Sequence, residues 1–327
     1  MFSLSNQKKE LLKTKGHLLV LGGPGSGKTT IALIKAKRII EKGIKEGQKI
    51  LFLSFARATV KRVEEKAVEL KLSPEIQKKI EINTYHGFTW NLLRSYGYLI
   101  NLKYPFQLLP PPEAASHLAE IKEKEKRQME KLRLFNKEGI LHFDLFAKYS
   151  AELLAGSKSL NEMICDVYPE IIFDEFQDTN NDEWQVIQNL GKKSRLIALA
   201  DPDQRIYEFR GADPARIGEF IKAFRPHQFD FGNENNRSNG TDIVQFGNDL
   251  LTGANKKKKY NDVNIVTYQF RKGNNIHSSL KNEVIKSIQR QNKTDKKKMV
   301  TCNFSSLEKS YVRCIPLLKL KTKIHQR

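Results

Sequence analysis

Cysteine is scarce in this 327-residue chain, and Cys165, Cys302 and Cys314 lie too far apart to form a metal-binding spacing or a disulfide framework, which fits a reducing cytoplasm. No stretch approaches the roughly eighteen consecutive apolar residues of a membrane-spanning helix. The first residues, Met1 to Gln7, lack the basic flank and apolar core of a secretory signal. Acidic residues are also short, 37 against 57 Lys and Arg, for a net charge of +20. The deficit is local, because residues 251–327 hold 19 basic and 4 acidic side chains, leaving 38 and 33 in the first 250. Bulk charge is therefore weak support for a polyanionic partner of the main body. With 39% hydrophobic and 9% aromatic residues the chain is not disordered by composition, and it is long enough for one large or two smaller cores.

What is present is an alternation of short apolar runs with helical periodicity. Residues 17–21, 49–54, 80–84, 170–173 and 195–200 read as buried strands, and 29–42 and 58–72 as helices. Such alternation predicts a parallel sheet covered on both faces. Residues 88–144 interrupt it with Pro110-Pro111-Pro112, which neither a helix interior nor a central strand accepts. A charged helical stretch from Glu113 to Arg133 follows. This region reads as an inserted helical subdomain. The chain has no internal repeat.

Two motifs carry chemistry. Gly22-Gly23-Pro24-Gly25-Ser26-Gly27-Lys28-Thr29 matches the phosphate loop G-x-x-x-x-G-K-[ST] between a strand and a helix, with Thr30 continuing the stretch. Glycines let backbone N–H groups turn toward phosphate oxygens, and the helix N-terminus adds its partial positive charge. Lys28 is then expected to reach the β- and γ-phosphates of ATP, and Thr29 to ligate Mg2+. Asp174 and Glu175 follow the apolar strand 170–173. At the C-terminal end of a parallel sheet Asp174 is placed to hold Mg2+, and Glu175 to orient and deprotonate a water.

Asp174-Glu175-Phe176-Gln177-Asp178-Thr179-Asn180 resembles the second motif of superfamily 1 DNA helicases of the UvrD/Rep type. Further segments resemble that family in order. The resemblance implies that Gln7 reads adenine. Ser54-Phe55-Ala56-Arg57-Ala58 and Asn83-Thr84-Tyr85-His86-Gly87-Phe88 would touch single-stranded DNA, through Phe55 and His86. The run Ala200 to Ala212 would place Gln204 at the γ-phosphate, and Tyr207 and Phe209 at the DNA. Asn236-Arg237-Ser238 would bring Arg237 to the γ-phosphate. Taken alone, Gln7 and Arg237 read as surface residues, and Phe55 and His86 as packing. The resemblance covers residues 1 to about 250.

The expected fold is α/β: a RecA-like P-loop domain over residues 1–87 and 145–250 with a parallel sheet and helices on both faces, an inserted helical subdomain over 88–144, and an incomplete C-terminal segment over 251–327. The family's second RecA-like domain carries a further DNA-contacting motif and a further arginine, and neither is found after residue 250. Met299 to Leu307 can be back-translated so that the adjacent frame reads as a tryptophan, an apolar run and a proline, which the family places at the start of that domain. Residues from about 299 onward are thus expected to be an out-of-frame tail, against a basic nucleic-acid-binding tail or a truncation. The expected activity is ATP hydrolysis coupled to movement on single-stranded DNA in the cytoplasm, 3′ to 5′ by resemblance. The competing readings are a nucleotide-dependent DNA-binding fragment and a P-loop enzyme of small molecules.

Overall fold

A computed structural model describes residues 4–100, 107–202, 213 and 215–232, with isolated positions further on. The chain divides into two compact units, Met1–Arg237 and Ser238–Arg327. In the second, the Tyr260 hydroxyl donates to Asp249 at 2.8 Å and its ring meets Phe246 edge-on at 5.1 Å.

The first unit holds strands β1 (Leu18–Leu21), β2 (Ile50–Ser54), β3 (Ile80–Thr84), β4 (Gln107–Leu108), β5 (Ile140–Leu141), β6 (Glu170–Phe173), β7 (Arg195–Ala200) and β8 (His227–Asp230). Six form one sheet in the order β3-β2-β6-β7-β1-β8, with every neighbouring pair parallel, and β4 pairs with β5 separately. The five expected strands are all there, within a residue of their expected limits.

Successive side chains of the strands point to opposite faces of the sheet, and both sets are buried. Leu19, Leu51, Leu53, Ile171, Phe173, Leu196 and Ala198 enter one core. Leu18, Val20, Ile50, Phe52, Ile172, Ile197 and Leu199 enter the other. This is why the strands read as continuous apolar runs. The second core is closed by α1 (Asn6–Lys13), α2 (Lys28–Glu41) and α3 (Arg57–Glu69), through Leu11, Leu12, Ile31, Leu33, Val63 and Ala67. The short α4 (Pro74–Lys78) leads into β3. The first core takes Phe88, Leu92 and Leu93 from α5 (Tyr85–Tyr96).

Residues 113–133 do not form the single helical stretch the charge pattern suggests. The chain makes α6 (Pro111–His117), breaks, and resumes as α7 (Lys124–Glu138). Pro111 and Pro112 open α6, where a missing N–H costs nothing. His117 Nε2 meets Glu130 at 3.0 Å, so a side-chain pair joins the two helices across the break. After β5, α8 (Phe146–Gly156), α9 (Lys158–Val167) and α10 (Asn181–Leu190) cover the first core, joined by Phe220 of α11 (Arg216–Phe224). The turn after β6 leads into α10. Asn180 is its cap, in a reciprocal pair with Glu183 at 2.9 Å in each direction.

Candidate nucleotide site

Because the sheet is parallel, the C-terminal ends of β1, β6 and β7 share one edge, with β7 between the other two. The phosphate-loop candidate leaves β1 and the acid pair leaves β6. This is a position where open α/β sheets gather their ligand groups.

Gly22 to Gly27 link β1 to α2. Gly27, at φ +92°, caps α2 without a side-chain hydrogen bond, so the amides of the first turn face the loop. A Cβ on Gly22 would lie 2.7 Å from Ser26 Oγ and 3.1 Å from Phe231 Cβ, so that position admits nothing larger than glycine. Ser26 Oγ is fully buried with no hydrogen-bond partner among the described residues. The loop is braced from behind: Gly22 N–H donates to Ala200 O at 3.2 Å, and Gly23 N–H to Gly232 O at 3.0 Å. Lys28 Nζ donates to the carbonyl of Gly22 and, at 3.2 Å, to that of Gly23. Its ammonium thus lies over the loop's concave backbone. Pro24 is exposed, while Gly23, Gly25, Thr29 and Thr30 are half-buried.

Asp174 is 5% exposed, and its N–H donates to Leu53 O at 2.8 Å. Burial, and then the neighbouring Glu175 carboxylate, raise its pKa from an ordinary 3.8 to about 7. The Lys28 ammonium and the Glu175 backbone act in the opposite sense, which puts Lys28 within electrostatic reach of Asp174. Glu175 adopts φ +53°, a left-handed conformation uncommon for a side chain of its size. The turn it begins is held by Asp178 N–H to Glu175 O at 2.9 Å.

One residue that sequence reasoning did not single out organises this edge. Gln177 Nε2 donates to Glu175 Oε2 at 2.8 Å, while Gln177 Oε1 accepts the N–H of Asp201 at 3.0 Å. A single buried amide therefore ties the acid after β6 to the backbone after β7. Beyond it, the buried guanidinium of Arg216 donates to Thr179 O at 3.3 Å and Asn181 Oδ1 at 2.6 Å, fastening α11 to the same turn.

The other expected site residues divide into two groups. Gln7 is exposed in the first turn of α1. Lys8 Nζ, one residue on, would lie 3.9 Å from a Cβ on Gly27, so this turn abuts the phosphate loop. Phe55 and His86 are half-buried after β2 and β3. Phe55 stacks on Tyr85 at 4.5 Å, and His86 lies 6.0 Å from Phe143 and 6.4 Å from Phe146. Gln204, Tyr207, Phe209 and Arg237 fall outside the described residues.

The family model for the UvrD/REP helicase N-terminal domain matches residues 4–137 and 129–225. YjcD of Bacillus subtilis (strain 168) is 25% identical over 301 residues, covering 78% of this chain and 39% of that protein. The ATP-dependent DNA helicase Rep of Buchnera aphidicola subsp. Baizongia pistaciae is 26% identical over 293 residues, covering 76% of this chain and 42% of Rep. The ATP-dependent DNA helicase PcrA of Staphylococcus aureus (strain Mu50) is 21% identical over 299 residues, covering 78% of this chain and 40% of PcrA. The chain thus spans about two fifths of the length of the curated relatives it matches. Among solved structures, the Pif1 helicase from Candida albicans aligns with a TM-score of 0.43 and 13% identity, covering 77% of this chain and 44% of that one.

Proposed function

The chain belongs to the UvrD/REP helicase N-terminal family, and from that premise we propose that it is the ATP-binding half of a motor that moves on single-stranded DNA. The observation that carries the reading is the meeting of Lys28, on the loop after β1, with Asp174 and Glu175, on the turn after β6, at one edge of a parallel sheet. Residues 1–87 and 145–250 would form the RecA-like domain, 88–144 the inserted subdomain and 251–327 an incomplete continuation.

In this reading the loop amides and Lys28 hold the phosphates of ATP, and the exposed amide of Gln7 contacts adenine at the loop's flank. Thr29 and Asp174 would hold Mg2+, which when bound supplies positive charge against the phosphate oxygens. The buried, unpartnered Ser26 hydroxyl and the glycine-lined cradle fit a polar ligand. Glu175 orients a water and accepts its proton, and Gln177 fixes the carboxylate that does so. Gln204 and Arg237 would approach the γ-phosphate. Phe55, His86, Tyr207 and Phe209 would face the DNA, where stacking a base on a ring contributes about 1–3 kcal/mol.

Titration with a fluorescent ATP analogue, with and without Mg2+, tests the reading. Magnesium-dependent binding is expected, together with turnover below about 1 s−1, because a second motor domain supplies part of the transition-state charge in a complete enzyme. Absence of nucleotide binding would overturn the reading, and efficient strand unwinding by this chain would overturn the need for a second domain. Gln177→Ala is expected to slow single-turnover hydrolysis about tenfold with the nucleotide Kd changed less than about twofold, since it releases the Glu175 carboxylate without touching the phosphate loop. Equal losses in both quantities would instead mean that the whole edge has collapsed.

A further inference from the structure

The first helix divides its side chains between two faces. Lys8, Leu11 and Leu12 of α1 are buried, at the spacing that sets residues on one side of a helix. Asn6, Gln7, Lys9 and Glu10 are exposed. The two leucines enter the second core. Lys8, at 9% exposure, is the polar member of that inner face. Its Nζ would lie 3.9 Å from a Cβ on Gly27, the cap of α2, and stands 4.9 Å from the centre of the Phe231 ring. A ring face attracts an ammonium, and lysine is seldom buried to this degree. Here its burial brings a second ammonium to the loop that carries Lys28.

The helix is fixed at both ends. Ser5 Oγ accepts the Lys8 N–H at 3.4 Å. The buried Lys35 of α2 donates to Leu11 O at 2.9 Å and to Thr14 O. Those bonds fill carbonyls that the last turn of a helix leaves unpaired. They also lock α1 to the helix that the phosphate loop opens, so the backbone of Lys8 is held in place beside that loop.

We propose that Lys8 reads the purine ring of the nucleotide, and that the site therefore takes guanine nucleotides at least as well as adenine nucleotides. Adenine presents an amino donor beside its N7 acceptor, whereas guanine presents O6 and N7, both acceptors. An ammonium has three donors and no acceptor. It can meet N7 of either purine and O6 of guanine, and it leaves the adenine amino group without a partner. Gln7 touches the base only from the outer face of the same turn, where water competes for its amide, so it contributes little to the choice. The inference rests on the nucleotide assignment in the proposed function and names the substrate class of that site.

Competition against a fluorescent nucleotide, with Mg2+ present and the full chain, measures Kd for ATP, GTP and inorganic tripolyphosphate. Wild type should bind GTP as tightly as ATP or more so, and a preference for ATP beyond about threefold overturns the proposal. Lys8→Gln supplies a donor and an acceptor together, and should move the ratio at least about tenfold toward ATP with tripolyphosphate affinity changed less than about twofold. An unmoved ratio overturns the proposal. So does an equal loss for tripolyphosphate, which would place the ammonium on the phosphates. Lys8→Met keeps the stem packed against Phe231 and serves where glutamine disturbs the fold. It should weaken ATP and GTP by about threefold or more while sparing tripolyphosphate, and unchanged affinity for both would remove Lys8 from the base. Gln7→Ala should move the ratio less than about twofold, and a larger shift would hand the choice of base to Gln7. A wild-type chain that binds no tripolyphosphate strikes the nucleotide reading itself, whereas one that binds it and prefers ATP strikes only the role of Lys8.

Discussion

Lys28→Ala should weaken binding of Mg–ATP by about 100- to 1,000-fold while leaving adenosine binding unchanged. The ammonium of Lys28 already lies over the concave side of the phosphate loop, donating to the carbonyls of Gly22 and Gly23. Those neutral acceptors are poor substitutes for phosphate oxygens, so exchanging them for a polyanion strengthens the contact. A hydrogen bond to a charged group contributes about 1.5–3 kcal/mol, and two such contacts at the lower end of that range, about 3–4 kcal/mol together, give the stated range at about 1.4 kcal/mol per tenfold. The fold should tolerate the change, because the loop keeps its backbone bonds to Ala200 O and Gly232 O. Anisotropy titrations with ATP, ADP and adenosine separate the outcomes, since a loss that grows with phosphate number belongs to Lys28. An alanine variant within about threefold of wild type for ATP would place the phosphates elsewhere.

The strands were legible because both of their faces are buried, so β1, β2, β6 and β7 present unbroken apolar runs. β8 was not, because it lies at the sheet's edge and buries only Phe229 of its four residues. The break between α6 and α7 was hidden for another reason. No proline or glycine marks residues 118–123, and a pairing thirteen residues apart, His117 with Glu130, joins the two helices instead. The site divides in the same way. Lys28, Asp174 and Glu175 belong to contiguous motifs whose spacing along the chain is their signature. Gln177 meets a neighbour that only the sheet order supplies, the backbone N–H of Asp201 after β7. Arg216, which belongs to no motif, is 1% exposed in the fold.

The burial of Asp174 implies a second large effect, in which loss of function is accompanied by a gain in stability. Its pKa, raised from 3.8 to about 7, means that the folded chain keeps a proton that the unfolded chain has released across that interval. The folded state then binds more protons than the unfolded one, so stability falls as pH rises from about 4 to 7 and stays reduced above it. About three pKa units correspond to a ceiling of roughly 4 kcal/mol, which relaxation and water entry reduce. Asp174→Asn preserves shape and removes the charge, so at pH 8 it should unfold about 1–4 kcal/mol later in urea than wild type, with the difference shrinking toward zero near pH 4. The same variant should lose magnesium-dependent nucleotide binding, because asparagine offers a dipole where a cation needs a charge. For wild type, Mg–ATP affinity should rise as pH passes through about 7, since the proton must leave before the metal can be held. Urea denaturation of both proteins at pH 5 and pH 8, each with and without Mg–ATP, measures all three effects. An asparagine variant that is less stable than wild type by the same amount at both pH values would show that Asp174 carries no buried charge, and would remove it from the metal site.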